Sequence, residues 1–133
     1  MNVYGTEQIR NVVLLGHGGA GKTTVAEALA LITGMTTRMG KVPDGNTISD
    51  YDKEEIKRQF SISTSLIPLE YEGENGTVKV NILDTPGYFD FVGEVEEAMS
   101  VADAPSSSST AKPASRWARR RRGSCARSTG FRD

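Results

Sequence analysis

Residues Gly16 to Thr23 read GHGGAGKT, and about 60 positions further on Asp84 to Gly87 read DTPG. The first stretch fits G-x-x-x-x-G-K-[ST], a spacing whose chemistry is the holding of phosphates. Its glycines let backbone N–H groups close around phosphate oxygens, and a helix starting at its end adds partial positive charge. Lys22 is the cation for the terminal phosphates, and the Thr23 hydroxyl is a Mg²⁺ ligand. DTPG alone is an ordinary turn sequence. Behind a phosphate loop it gains meaning, because Asp84 supplies a carboxylate on the Mg²⁺ side and Gly87 an N–H for a γ-phosphate. Together the two motifs point to a GTPase using GTP and Mg²⁺. The nucleotide-binding set is then Gly16, His17, Gly18, Gly19, Ala20, Gly21, Lys22, Thr23 and Thr24, with Asp84, Thr85, Pro86 and Gly87. Within it His17 occupies a variable position, where a solvent-facing side chain is expected.

These residues need a scaffold, and the flanking sequence predicts one. NVVLL, residues 11–15, is a short apolar run suited to a strand buried on both faces. KTTVAEALALIT, residues 22–33, predicts a helix, with Gly34 where a helix stop belongs. Residues 35–59 carry no sustained period and predict a loop with one short helix starting at Ser49 or Asp50. Asp44 and Asp50 in that loop are expected to be solvated charges. Alternation from Phe60, a turn at 74–76 and a second alternating run up to Asp84 predict a hairpin. After DTPG, Phe89, Val92, Val95, Met99 and Val101 fall near one face of a predicted helix, with Glu94, Glu96 and Glu97 on its polar side. The fold class expected is α/β, a partial P-loop nucleotide-binding domain.

Composition bounds the reading further. Residues 1–104 carry 8 Lys and Arg against 16 Asp and Glu, whereas residues 105–133 carry 8 against 1. No apolar run reaches the roughly 18 residues of a membrane helix, and no secretory leader pattern is present, so a cytoplasmic protein with no membrane partner is expected. One cysteine, Cys125, and one histidine, His17, leave no intrachain disulfide and no thiolate zinc cluster.

GHGGAGKTT, RMGKVPDGNTISDYDKEEIKRQFSIS and NILDTPGYFDFVGEVEEAMSVADA resemble the first half of the GTPase domain of bacterial elongation factor G, from about residue 8 to 104. The resemblance implies GTP hydrolysis on the ribosome during tRNA and mRNA movement, with switches at residues 35–65 and from 84 to about 95. Ribosomal-protection and release-factor GTPases share this architecture. Two departures stand out. The family's first switch reads R-G-I-T-I, and its Thr lies near Mg²⁺; here the stretch is RQFSI, so Ser61 takes that place and keeps the oxygen. The family's second switch reads D-T-P-G-H-x-D-F, where the His orients the attacking water, and here Tyr88 stands instead. A phenol with a pKa of about 10 orients water by hydrogen bonding but is a poor base beside an imidazole at about 6.5. Lys22 and Tyr88 are therefore the catalytic candidates, and Thr23, Ser61 and Asp84 the metal candidates.

The sequence changes character at Pro105. From there it has no Val, Ile, Leu or Met and is dominated by Ser and Arg, which predicts disorder. The domain assignment is thus 1–104 for the N-terminal half of a GTP-binding domain and 105–133 for a disordered tail. The resemblance implies an apolar strand followed by Asn-Gly at this point, where the chain has PSSSSTAKP. If the serine codons are TCN, regrouping the bases one position earlier gives NTC, which encodes only Phe, Leu, Ile or Val. The same shift permits Asn-Gly from Thr110-Ala111. A single-base deletion near codon 104 thus accounts for the tail as out-of-frame translation, with a sheet left open beside residues 11–15. The competing reading takes RWARRRR as a nucleic-acid-binding arm. The guanine-reading N-K-x-D element of GTPases is absent from these 133 residues, so tight GTP binding is not expected of them.

Overall fold

The computed structural model describes residues 3–74 and 76–107. Four strands form one sheet in the order β2-β3-β1-β4, where β1 is Ile9–Leu15, β2 Ser65–Gly73, β3 Gly76–Asp84 and β4 Ala104–Ser107. β1 runs parallel to both β3 and β4, with Val12 opposite Ile82 on one side and Ala104 on the other. β2 and β3 make the antiparallel hairpin, closing at Gly73 opposite Gly76, whose φ of 110° is open to glycine without strain.

The apolar run of β1 serves both faces because its side chains alternate. Leu14 packs with Ile67, Leu69 and Ile82 against Ala26 and Ala30 of α1 (Lys22–Ile32). Val13 and Leu15 point the other way, packing with Leu83 against Val95, Ala98 and Met99 of α3 (Val92–Val101). Ile67 and Met99 are almost wholly enclosed, and each such side chain contributes roughly 1.5–3 kcal/mol of burial. Met99 and Val95 do form the inner face of α3. Phe89 and Val101, expected beside them, are exposed: Phe89 falls in a short 3₁₀ turn, Phe89–Phe91, that precedes the helix and rotates it off the stripe.

Connectivity locates the site. α1 carries the chain from β1 across one face towards β2 and β3, while α3 carries it from β3 across the other face to β4. Crossovers leaving neighbouring strands in opposite directions open a crevice at the carboxyl ends of β1 and β3, where α/β sheets bind ligands. Gly16–Gly21 follows one of those ends and Asp84–Gly87 lies at the other.

The structure departs from the expected elements in three places. β2 begins at Ser65 rather than Phe60, because residues 60–64 are drawn away: Phe60 stacks on Tyr88, and the Ile62 and Ser63 amides donate to Glu55. The short helix α2, Lys53–Arg58, is capped by Asp52, whose carboxylate accepts from the Glu54 amide, and not by Ser49 or Asp50, both of which are buried. At the boundary placed after residue 104, β4 runs on to Ser107 and covers β1 from Val12 to Leu15, so that edge is paired over four positions instead of bare. Residues 108–133, including Cys125 and the arginine cluster, lie outside the described residues.

Candidate functional site

The phosphate loop takes the shape its glycines permit. Gly19 and Gly21 have φ of 76° and 80°, the left-handed region that side chains disfavour, and Gly21 is the N-cap of α1. No side chain caps that helix end. Lys22 is buried, and its ammonium donates to the Gly16 and His17 carbonyls at 3.2 and 3.0 Å, holding the charge inside the loop's curve. His17 is half-buried rather than solvent-facing, with Nδ1 2.6 Å from the Gly18 carbonyl oxygen.

A cavity of about 220 Å³ opens on this loop, lined by Gly18, Gly19, Gly21 and Lys22 through Thr24 on one side and by Gly87 and Tyr88 on the other. Val42, Asp50, Gln59, Phe60 and Ser61 form its third wall, so all three sequence segments singled out for nucleotide chemistry meet there. Thr85 and Pro86 back the cavity instead of lining it. The Thr85 hydroxyl donates to the Leu14 carbonyl at 2.6 Å and ties the DTPG turn to β1, and Pro86 is fully buried. Ala20 and Gly16 are buried beneath the loop.

At the floor, the Thr23 hydroxyl donates to Asp84 Oδ2 at 2.7 Å and lies 3.4 Å from the Ser61 hydroxyl, which donates to Asp50 Oδ1 at 2.6 Å. Asp84 Oδ1 and Asp50 Oδ2 are buried and have no hydrogen-bond partner. Burial pushes the Asp84 carboxyl above its ordinary range, against the pull of the Thr23 and Ser49 hydroxyls and the Lys22 charge. Burial likewise raises Asp50, opposed by Ser61 and reinforced by the Asp84 and Glu55 charges. Two desolvated carboxylates with vacant lone pairs beside two hydroxyls form an oxygen donor set that suits a hard divalent cation.

Three acidic residues that sequence reasoning missed organise this site. Asp50, expected to be solvated, is 4% exposed and sits in the cavity wall. Glu27, on the inner side of α1, accepts from the amides of Gly40 and Ile48 and so fixes the start of the first switch segment. Gly40 must be glycine there, since a Cβ would lie 2.6 Å from the Asn46 carbonyl. Glu55 accepts from Ile62 and Ser63 at 3.0 and 3.1 Å and fixes its end. The one signal available was position: a Glu flanked by Ala26 and Ala28 inside an apolar helix face needs a buried partner. Glu94, assigned to a polar face, accepts from the Thr64 amide and joins the residue before β2 to α3.

A strand, glycine loop and helix facing DTPG across a sheet switch point define a P-loop nucleotide-binding domain. The model of the elongation factor Tu GTP binding domain matches residues 7–105, and the chain belongs to that family. It is 45% identical over 95 residues to an elongation factor G-like protein of Mycobacterium tuberculosis, covering 71% of this chain and 13% of that protein. With the mitochondrial ribosome-releasing factor 2 of Drosophila virilis it shares 38% over 98 residues, 74% of this chain and 13% of the other. A solved structure from Thermus thermophilus superposes with a TM-score of 0.85 at 38% identity, over 93% of this chain and 18% of that one. The chain thus spans about an eighth of the length of these curated relatives. Among the described residues no helix is long and apolar enough to cross a membrane.

Proposed function

We propose that these residues form the phosphate- and Mg²⁺-binding half of an elongation factor G-type GTPase that acts on the ribosome in the cytoplasm. The observation that carries this is the convergence of Lys22, Thr23 and Ser61 on one cavity against left-handed Gly19 and Gly21, with Asp84 buried behind it and hydrogen-bonded to Thr23. In this reading the loop amides and Lys22 bind the phosphates of GTP or GDP. Thr23, Asp84 and Ser61 hold the metal, with Asp50 orienting Ser61. Bound Mg²⁺ neutralises developing charge on the phosphates. Gly87 lines the same cavity, and Tyr88 closes its outer side with a phenol that orients water without removing its proton.

The polarity of β4 supports the out-of-frame reading of the tail. A strand paired beside central β1 in a parallel arrangement is ordinarily apolar on both faces, yet here it reads Ala-Pro-Ser-Ser, with only Pro105 half-buried. We therefore take residues 105–133 as displaced from the frame of the parent protein. Resequencing the DNA from codon 95 onward tests this directly: an added base that restores an apolar strand and then N-K-x-D supports it, and an unbroken frame rejects it. For the nucleotide site, a labelled GDP titrated with and without Mg²⁺ should show binding that Lys22→Ala removes. Undiminished binding by that variant would refute the site.

A further inference from the structure

Tyr88 is held in place by two residues from outside its own turn, Gly18 of the phosphate loop and Phe60 of the first switch segment. Its ring packs on Phe60 with centroids 4.5 Å apart and planes inclined at 47°. On its other side lies Gly18, where a Cβ would come within 2.9 Å of ring carbons Cε2 and Cζ and 3.2 Å of the hydroxyl. The missing side chain at position 18 is therefore a seat for the phenol. Gly18 does not need glycine for its backbone, unlike Gly19 and Gly21, whose φ angles are positive. The three atoms nearest to a Cβ at position 18 all belong to the Tyr88 ring and its hydroxyl.

We infer that Gly18 and Phe60 are positioning residues for Tyr88, seating its ring over the phosphate loop so that the two switch segments close the phosphate cavity as one aromatic latch. The inference rests on the reading of this cavity as a nucleotide site for its functional meaning, although the seat itself is a property of the protein without nucleotide. Gly18, Phe60 and Tyr88 come from three separated segments and all line the cavity. Closure by an aromatic pair removes water from that wall and lets the hydroxyl be the polar group presented beside the loop. Because the ring is 45% exposed, a side chain at position 18 would displace it outward instead of disrupting the core.

The test uses the full chain and needs no nucleotide. Hydrogen exchange at the Ile62 and Ser63 amides, which Glu55 protects next to Phe60, reports whether the first segment stays closed. Gly18→Ala and Tyr88→Ala should each speed that exchange roughly two- to tenfold, the range set by losing one aromatic pair. The double variant should be no faster than Tyr88→Ala alone, because alanine at 18 has nothing to displace once the ring is gone. No effect of Gly18→Ala, or effects of the two changes that multiply, would overturn the inference. A second readout uses the unaltered protein: the two Gly18 α-protons should have well-separated NMR shifts from the adjacent ring, and the separation should collapse in Tyr88→Ala. Equivalent protons in the unaltered chain would also overturn it. Dissociation of labelled GDP then reads the functional reading separately, since a chain that binds no nucleotide would refute that reading and leave the exchange result intact.

Discussion

Replacing Asp84 with asparagine should make the nucleotide-free protein more stable. The carboxylate is 0% exposed, Oδ1 makes no well-formed hydrogen bond, and burial outweighs the pull of the Thr23 and Ser49 hydroxyls to hold its pKa above the ordinary 3.8. The sign follows from linkage: with a folded pKa above the unfolded one, the folded state binds the extra proton, so stability falls as pH rises from about 4 through the raised value. Above that window the whole penalty is present. Asparagine removes the charge and retains an oxygen for the Thr23 hydroxyl. A buried unsatisfied polar group costs about 1–3 kcal/mol, more when charged, so Asp84→Asn should gain about 1–3 kcal/mol at pH 7. For a domain of this size each kcal/mol corresponds to roughly 4–8 °C in Tm. Urea unfolding of both proteins between pH 4 and 8, without Mg²⁺, measures the effect. The fall in stability with pH should become shallower in the variant while a residual slope from Asp50 persists. Equal or lower stability of Asp84→Asn at pH 7, with an unchanged slope, would refute the argument.

Glu27→Ala should cost about 2–4 kcal/mol in urea unfolding, since the Gly40 and Ile48 amides both lose a charged acceptor. Gly87→Ala should destabilise by about 1–3 kcal/mol and weaken nucleotide binding together, because its Cβ would meet the Gly18 and His17 backbone, which cannot swing away. Lys22→Ala should abolish Mg²⁺-dependent nucleotide binding in a calorimetric titration, as it removes the ammonium held inside the loop's curve by the Gly16 and His17 carbonyls.

The parts of the fold that follow local rules were legible. Gly34, with φ of 74°, does follow the last turn of α1, and the alternation around Asp84 does mark a strand end at the switch point. What escaped reading depends on long-range pairing. Nothing around Asp50 distinguishes a solvated aspartate from one buried against Ser61, eleven residues away. Phe60 continued a strand pattern, but packing on Tyr88 and the pull of Glu55 on the next amides override alternation there. Ser106 and Ser107 have no strand propensity worth naming, yet β1 offers unpaired backbone groups and draws them in, because leaving a buried strand edge unsatisfied costs more than ordering four residues beside it. The phosphate loop was legible for the opposite reason, since its whole geometry is written within eight adjacent residues.

The central proposal is that phosphates and Mg²⁺ are held through Lys22, Thr23, Ser61 and Asp84, and that the described residues include no element that reads the base. Calorimetric titration of the full chain with GTP and with ATP, each with and without Mg²⁺, tests it most directly. The account predicts weak binding that requires Mg²⁺, differs little between the two nucleotides and vanishes in Lys22→Ala. Tight, guanine-selective binding, or binding indifferent to Mg²⁺ and to Lys22, would contradict it.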